Sequence, residues 1–320
     1  MEQRTDLTAF SEKMQLLRDR ISQIVIGQDA AVDLVLTCIL ADGHVLIEGV
    51  PGVAKTLLAR LVSRLTDLHF SRVQFTPDLM PSDVLGTTVF NVKTSEFDFH
   101  KGPVFADMVL VDEINRAPAK TQAALFEVME ERQVTIDGVT RRMDDIYTII
   151  ATQNPVEQEG TYKLPEAQLD RFLMKIDMGY PSADDETAIL ERHHANAAFV
   201  RLDDVAPVIS RSELLQLRDM VGSVVVDSSL LQYIVQIVRQ TRTSRAVFLG
   251  ASPRASVSML RASKAYAMLC GRDFVTPEDI KTVAPPILSH RLILTAEAEM
   301  EGYSPVKVVQ KLMDKVEVPK

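Results

Sequence analysis

The sequence predicts an α/β domain with a parallel sheet flanked by helices, followed by an all-helical domain. Up to about residue 180, short apolar runs bounded by turn residues alternate with helical patterns. Strands that alternate with helices in this way favour a parallel sheet. Beyond that point one helical pattern follows another with little strand between them. We therefore expect two domains, residues 1–180 and residues 181–320.

The composition is that of a soluble globular protein. The chain has 320 residues, 46% hydrophobic and 25% charged, with a formal net charge of −9. An acidic total disfavours a protein that mainly grips nucleic acid, although it leaves room for a local basic pore. Cys38 and Cys270 lie in apolar stretches, so we expect two buried free thiols and a reducing compartment. The sequence shows neither a membrane-spanning apolar run nor a secretory leader, so the expected location is the cytoplasm.

Apolar periodicity assigns the individual elements. In the first domain it indicates helices at 7–24, 29–41, 57–68 and 120–132, and strands at 44–47, 70–75, 108–111, 147–152 and 172–176. Polar turns inside 86–104 and 133–142 indicate two inserted β-hairpins, and the second contains the Asp-Gly pair typical of tight hairpins. In the second domain it indicates helices at 184–196, 212–221, 228–241, 252–270 and 277–283.

The segment Gly49-Val50-Pro51-Gly52-Val53-Ala54-Lys55-Thr56 joins the first strand to the next helix. This layout is typical of a phosphate-binding loop, in which backbone N–H groups and a helix N-terminus face the phosphates. The lysine would neutralise phosphate charge, and the threonine hydroxyl would ligate Mg²⁺. Ala54 stands where a glycine is expected, and a positive φ there would cost about 1–2 kcal/mol. The alternative is a Gly/Pro turn followed by a chance Lys-Thr pair.

Polar side chains follow two later strands. Asp112 and Glu113 end the run at 108–111, and Asn154 follows the strand at 147–152. Ligands bind at the carboxyl edge of a parallel sheet, where these residues would meet the loop. There Asp112 would hold Mg²⁺ through water, Glu113 would polarise an attacking water, and Asn154 would hold that water or a phosphate. Taken singly, each residue is also compatible with a solvated turn.

Five segments resemble the MoxR family of AAA+ ATPases, and the resemblance covers nearly the whole chain. They are the loop at 49–56 with its alanine before the lysine, Val-Asp-Glu-Ile-Asn-Arg-Ala-Pro at 111–118, Ala-Thr-Gln-Asn-Pro at 151–155, Glu-Ala-Gln-Leu-Asp-Arg-Phe at 166–172 and Gly-Ala-Ser-Pro-Arg-Ala at 250–255. Ser-His-Arg at 289–291 is similar to the family's C-terminal segment. The resemblance implies a sheet of strand order 5-1-4-3-2, a helical lid, and hairpins that match the family's helix-2 insert and presensor-1 hairpin.

The resemblance also implies roles for individual residues, with ATP and Mg²⁺ as the ligands. Asn154 matches sensor 1, Arg171 matches the arginine finger that acts on a neighbouring subunit, and Arg254 matches sensor 2, expected to act within its own subunit. Alternatives are a surface ion pair of Arg171 with Asp170 and a helix N-terminal charge at Arg254. Arg116 would sense the interface or brace its loop. The remaining expected contacts are Val25, Ile26 and Gly27 with adenine (or as a hydrophobic staple), Gly49 to Leu57 with the phosphates, Thr56 and Asp112 with the metal, and Glu113 with the attacking water.

The family's quaternary structure implies a ring, usually a hexamer, with ATP at the subunit interfaces. Its members mature or activate partner protein complexes, often through a protein with a von Willebrand factor A domain. Two alternatives stay open. One is a DNA-directed motor, because replicative helicases belong to the same group of AAA+ proteins with inserted hairpins. In addition, the inserts of this chain contain the basic residues Lys93, Arg141 and Arg142. The other is an ATP-gated assembly switch that does no mechanical work.

Overall fold

The structure is a computed structural model that describes residues 8–155, 162, 164–194 and 202–319. The strands are β1 Val45–Gly49, β2 Phe70–Gln74, β3 Gly86–Asn91, β4 Glu96–Lys101, β5 Met108–Asp112, β6 Gln133–Ile136, β7 Val139–Arg142, β8 Thr148–Gln153, β9 Met174–Met178, β10 Val247–Leu249 and β11 Ile293–Leu294. The α-helices are α1 Thr8–Ser22, α2 Asp29–Leu40, α3 Lys55–Leu65, α4 Pro81–Leu85, α5 Ala119–Glu131, α6 Glu166–Leu169, α7 Ala183–His194, α8 Arg211–Ser223, α9 Ser228–Thr243, α10 Pro253–Leu269, α11 Pro277–Leu288, α12 Ala296–Met300 and α13 Pro305–Met313.

The central sheet is parallel, with the strand order β2-β5-β8-β1-β9. With the hairpin strands left out of the numbering, this is the order 5-1-4-3-2 that the resemblance implied, so the predicted fold class is confirmed. The chain order reverses around β1, which pairs with β8 on one side and β9 on the other. A reversal of this kind opens a crevice at the carboxyl ends of the strands. The loop after β1 begins at that crevice.

Both faces of the sheet are buried, which explains its continuous apolar strands. Val45 and Ile47 of β1 pack on one face, and Leu46 packs on the other against Phe126 of α5. The cluster on the first face also contains residues of α1, α2 and α3 and extends to Val283 of α11. The helical region after residue 180 therefore shares one hydrophobic core with the sheet.

The helical region departs from the sequence prediction in several places. The helix predicted at 277–283 continues to Leu288, because the full burial of Ile287 and Leu288 offsets the N–H donors missing at Pro285 and Pro286. The antiparallel pair β10-β11 was not predicted, since its strands are too short to show a period, and neither were the helices α12 and α13. The expectation of a buried thiol is confirmed for Cys38 and wrong for Cys270, which follows α10 and is exposed.

The two inserted hairpins form as predicted, and they contact each other. The β3-β4 and β6-β7 pairs are both antiparallel. The guanidinium of Arg141 in β7 lies 3.8 Å from the ring centre of Phe99 in β4. Arg141 therefore joins the hairpins through a cation–π contact. Near the tip of the first hairpin, the rings of Phe90 and Phe97 lie 5.2 Å apart, and both are largely exposed.

No helix in the described part of the chain is long and apolar enough to cross a membrane.

A buried histidine ties β1 to its neighbours. The Nδ1 atom of His44 accepts the N–H of Ile149 at 3.0 Å, and its Nε2 lies 3.2 Å from the carbonyl oxygen of Met129. An imidazole that accepts at Nδ1 must carry its proton on Nε2, so this arrangement uses the neutral ring. Burial, with Arg132 as a smaller contribution, lowers the pKa of His44 to about 4.

We expect His44 to make the fold less stable in mild acid. The unfolded imidazole titrates near pH 6.5. Between that pH and about 4 the unfolded chain therefore binds a proton that the folded chain excludes, and stability falls as the pH falls. From pH 7.5 to 5 this group should remove roughly 2 kcal/mol of unfolding free energy. Urea denaturation of wild type and His44→Asn across that range measures the difference. Equal losses in both proteins would contradict the assignment.

Candidate functional site

The loop after β1 is tightly bent. Gly52 has φ 90°, and Ala54, the residue before α3, has φ 67°. A Cβ at Gly49 would lie 2.5 Å from the carbonyl oxygen of Met178, so only glycine fits at the end of β1. The ammonium of Lys55 donates to the carbonyls of Gly49 and Val50, which holds the side chain over the loop.

A cavity of about 380 Å³ lies between this loop and the carboxyl ends of β2, β5 and β8. Its lining consists of Pro51, Gly52, Ala54, Lys55, Thr56, Leu57, Arg72, Gln74, Asp112, Glu113, Thr152 and Asn154. The structure thus brings together most of the loop with the acids and the amide that the sequence singled out. Of the other loop residues, Val53 is buried and Gly49 lies against β9. Val50 is half-buried against the core.

The buried carboxylate of Asp112 is the centre of polar contacts in this cavity. One of its oxygens accepts from the Thr152 hydroxyl at 3.1 Å and lies 3.5 Å from the Thr56 hydroxyl. The other oxygen accepts from Nε of Arg72 at 2.7 Å. A carboxylate beside a hydroxyl supplies the oxygen ligands that Mg²⁺ prefers, so Asp112 and Thr56 fit that ion.

Glu113 has a strained backbone and an anchored side chain. Its φ is 56°, which is uncommon for any residue other than glycine. Its N–H donates to the Thr152 hydroxyl at 3.0 Å. Its carboxylate accepts from Gln74 Nε2 at 2.7 Å and lies 3.2 Å from Nη1 of Arg116. Arg116 therefore contacts the segment after β5 in its own chain. Asn154 is buried just beyond β8, across the same cavity.

Residues 25–27 do not line the cavity. Val25 is buried and Ile26 is half-buried. A Cβ on Gly27 would lie 2.7 Å from a carboxylate oxygen of Asp185, and the Gln28 side chain donates to the Gly179 carbonyl at 3.0 Å. The segment therefore packs against the start of α7, at the junction of the sheet with the helical region.

The two arginines expected at the γ-phosphate lie together, outside the lining of the cavity. Nη2 of Arg254 is 2.6 Å from one carboxylate oxygen of Glu130 in α5, and Nε of Arg171 is 3.7 Å from the other. Nη1 of Arg171 donates to the Ala167 carbonyl at 3.2 Å. Asp170, the ion-pair partner considered for Arg171 from the sequence, is instead bound to Arg291 at 2.6 Å. The structure brings Arg254 to Arg171 rather than to Lys55.

Sequence reasoning missed four residues of these two clusters, namely Arg72, Gln74, Thr152 and Glu130. A signal for the first two exists, because Arg72 and Gln74 alternate with apolar residues on β2, and Gln74 pairs with Asp112 in the sheet register. Thr152 stands in the segment already singled out for Asn154. Glu130 carries no signal, since it is one of two consecutive glutamates at the end of an ordinary helix.

Two protein-family models match the chain. The model of the ATPase family associated with various cellular activities (AAA) matches residues 44–174, and the AAA lid domain matches residues 239–312. The chain is 46% identical to the uncharacterized protein YeaC of Bacillus subtilis, over 94% of this chain and 93% of that one. It is 44% identical to the chaperone MoxR1 of Mycobacterium tuberculosis, with coverage of 93% and 80%. A crystal structure of a putative ATPase from Cytophaga hutchinsonii, 41% identical, superposes with a TM-score of 0.89 over 98% and 97% of the two chains.

We expect Ala54→Gly to stabilise the fold. The φ of 67° costs an alanine about 1–2 kcal/mol, whereas the extra freedom of an unfolded glycine costs roughly 0.5–1 kcal/mol. The net gain should be roughly 0.5–1 kcal/mol, measured by urea denaturation. The matched control is Ala123→Gly, at an exposed position in the interior of α5, which should lose about 1 kcal/mol. A loss of similar size at both positions would show that Ala54 carries no strain.

Proposed function

The chain belongs to the MoxR family of AAA+ ATPases, and from that premise we propose that it hydrolyses ATP to ADP and phosphate at sites shared between the subunits of a ring. The observation that carries the proposal is that two groups of candidate site residues lie apart in the chain's own fold. Lys55, Asp112 and Glu113 line one cavity, whereas Arg171 and Arg254 meet at Glu130 outside its lining. A charge cluster separated from the cavity it would serve is what a head-to-tail ring requires, because each interface joins two different surfaces of the chain.

Within the cavity, each residue has a task that its geometry supports. Lys55 and the backbone N–H groups of the bent loop bind the phosphates. Thr56 and Asp112 hold Mg²⁺, which supplies charge neutralisation at the phosphates when bound. Glu113 orients the attacking water and accepts its proton, and Asn154 fixes the water or the γ-phosphate. We assign the adenine contact to Val25, Ile26 and Gly27, which precede α2 beside the junction with α7.

The two arginines act together on the nucleotide of the neighbouring subunit. The Arg171 side chain is about one third exposed and that of Arg254 about two thirds, so both present charge at the surface. Glu130 keeps the two guanidinium groups close to each other in spite of their mutual repulsion. This arrangement leads us to place Arg254 with Arg171, and no longer with the Lys55 of its own chain.

The work of the ring is the remodelling or maturation of a partner protein. One relative is named as a chaperone. Phe90, Val92 and Phe97 form an exposed apolar tip on the first hairpin, and such surface is a common feature of protein contacts. We propose a protein with a von Willebrand factor A domain as partner, a hexameric ring, a cytoplasmic location, and a boundary between nucleotide-binding core and lid near residue 180. The guanidinium of Arg141 is engaged with Phe99, so of the basic residues named for the DNA-directed alternative only Lys93 and Arg142 are exposed.

Subunit mixing tests the shared site. Arg171→Ala should assemble with ATP but lose about 10³-fold or more in hydrolysis, because an arginine finger typically contributes that much. Lys55→Ala should also be inactive. In a random equimolar mixture, about one site in four pairs an intact loop with an intact Arg171, so activity should return in a heterologous ring. The readouts are phosphate release and particle mass. Normal hydrolysis by Arg171→Ala, or a rate per subunit that is unchanged when dilution reduces the particle mass to that of a monomer, would rule out shared sites.

The same experiment separates the two placements of Arg254. If Arg254 acts beside Arg171, no subunit in a mixture of Arg171→Ala with Arg254→Ala offers both arginines, and the mixture stays inactive. If Arg254 acts within its own chain, that mixture regains activity. A mixture of Arg254→Ala with Lys55→Ala gives the reverse result. It should be active if Arg254 acts beside Arg171, and inactive if Arg254 acts within its own chain.

A Glu113→Gln variant tests whether remodelling needs hydrolysis. It should bind ATP and assemble like wild type, because glutamine keeps the shape of the side chain, but it cannot accept the proton of water. In cells lacking the native protein, it should then fail to restore the function of the partner complex. Full restoration would favour the assembly switch over the motor.

A further inference from the structure

A buried guanidinium of the helical region grips the segment that carries Arg171. The side chain of Arg291, just after α11, is only 4% exposed. Its Nε donates to Asp170 Oδ1 at 2.6 Å. Its Nη2 donates to the carbonyls of Phe172 at 2.7 Å and Asp170 at 3.3 Å, and its Nη1 to that of Leu173 at 3.2 Å and to that of Ile287. Residues on both sides of Arg171 are therefore bound to one side chain.

The contacts of Arg291 fix the backbone on both sides of Arg171. A guanidinium has five N–H donors in a rigid planar fork, so acceptors at 170, 172 and 173 are held in a set relation to each other. The ring of His290 adds a contact of 3.1 Å between its Nε2 and the Phe172 carbonyl. Between α6 and β9 the chain has only the four residues 170–173, which belong to no helix or strand, so their conformation depends on contacts such as these.

We propose that Arg291 is a positioning residue for Arg171, setting the direction in which that arginine projects toward the neighbouring subunit's nucleotide. The proposal rests on the shared site described above. Arg291 does not line the cavity, and it would act through the backbone of 170–173 and the Asp170 side chain. A displacement of about 1 Å in a reacting geometry can cost 10²-fold in rate. Loss of the Arg291 contacts should therefore lower the rate of hydrolysis at the neighbouring subunit's site, while the phosphate loop of the same subunit remains intact.

The arrangement also couples the helical region to the finger at a second point. Arg254 begins α10 and shares Glu130 with Arg171. The Arg171 segment is thus held from one side by Arg291 and meets Arg254 at the other. A shift of the helices against the sheet would move both arginines together, which is the behaviour expected of a paired donor.

The test uses a ring mixed from two variant subunits and adds Arg291→Met to one of them at a time. The donor subunit is Lys55→Ala, which supplies Arg171 but has no active loop. The acceptor subunit is Arg171→Ala, which supplies the loop. Adding Arg291→Met to the donor should lower kcat of the mixture by ~10²-fold with little change in KM for ATP. Adding it to the acceptor, which has no Arg171 to position, should change kcat less than about twofold. A purely structural role would lower both mixtures alike.

Arg261→Met is the matched control, because Arg261 is also an arginine of the helical region that donates to core carbonyls, at Ala41 and Asp42, away from Arg171. It should show no difference between donor and acceptor. If Arg291→Met does not fold, Asp170→Asn keeps the backbone acceptors and removes only the charge, and it should show the same asymmetry with a smaller loss. Equal losses, or none in the donor, overturn the role of Arg291. If the mixture without any change at 291 has no activity, the shared site itself is wrong, and this role falls with it.

Discussion

The burial of both faces of the parallel sheet is the constraint from which the rest of the structure follows. Helices cover Val45 and Ile47 on one side and Leu46 on the other, so β1 can expose polar groups only at its ends. The candidate site residues accordingly gather where strands end, and there the backbone is strained. Ala54 and Glu113 both have positive φ, at 67° and 56°. Such conformations persist when the surrounding structure determines them, here through buried strands on either side.

Among the described residues, the ion pairs of the cavity and the ion pairs around Glu130 form two separate clusters. In the cavity, the carboxylates of Asp112 and Glu113 contact the cations Arg72 and Arg116. Outside its lining, Glu130 holds Arg171 and Arg254, an acid with a surplus of positive charge around it. In the proposed ring, this cationic surface would face the phosphates bound in a neighbour's cavity.

Much of the fold could be predicted from the sequence, because local patterns report local structure. Periodicity located the core strands, and the Asp137-Gly138 pair located the second hairpin. Motif spacing brought the loop, Asp112, Glu113 and Asn154 to one sheet edge. Motif spacing could not place Arg254, because the position of α10 depends on how it packs against helices that are distant in the sequence. Arg72 and Glu130 became visible only once sheet register and tertiary contacts set them beside their partners.

The helical region is fastened to its own core by more than apolar packing. Arg218 of α8 donates to the Ile39 carbonyl at 2.9 Å and to Asp42 at 2.7 Å, Arg261 binds the same turn, and Arg291 binds the segment before β9. The segments before the neighbouring parallel strands β1 and β9, at the amino end of the sheet, are thus both bound by guanidinium groups of the helical region over a continuous hydrophobic core. The cavity lies at the opposite, carboxyl end of the parallel strands, so Arg171, in the segment before β9, is placed away from the cavity of its own chain, as our proposal of a shared site requires.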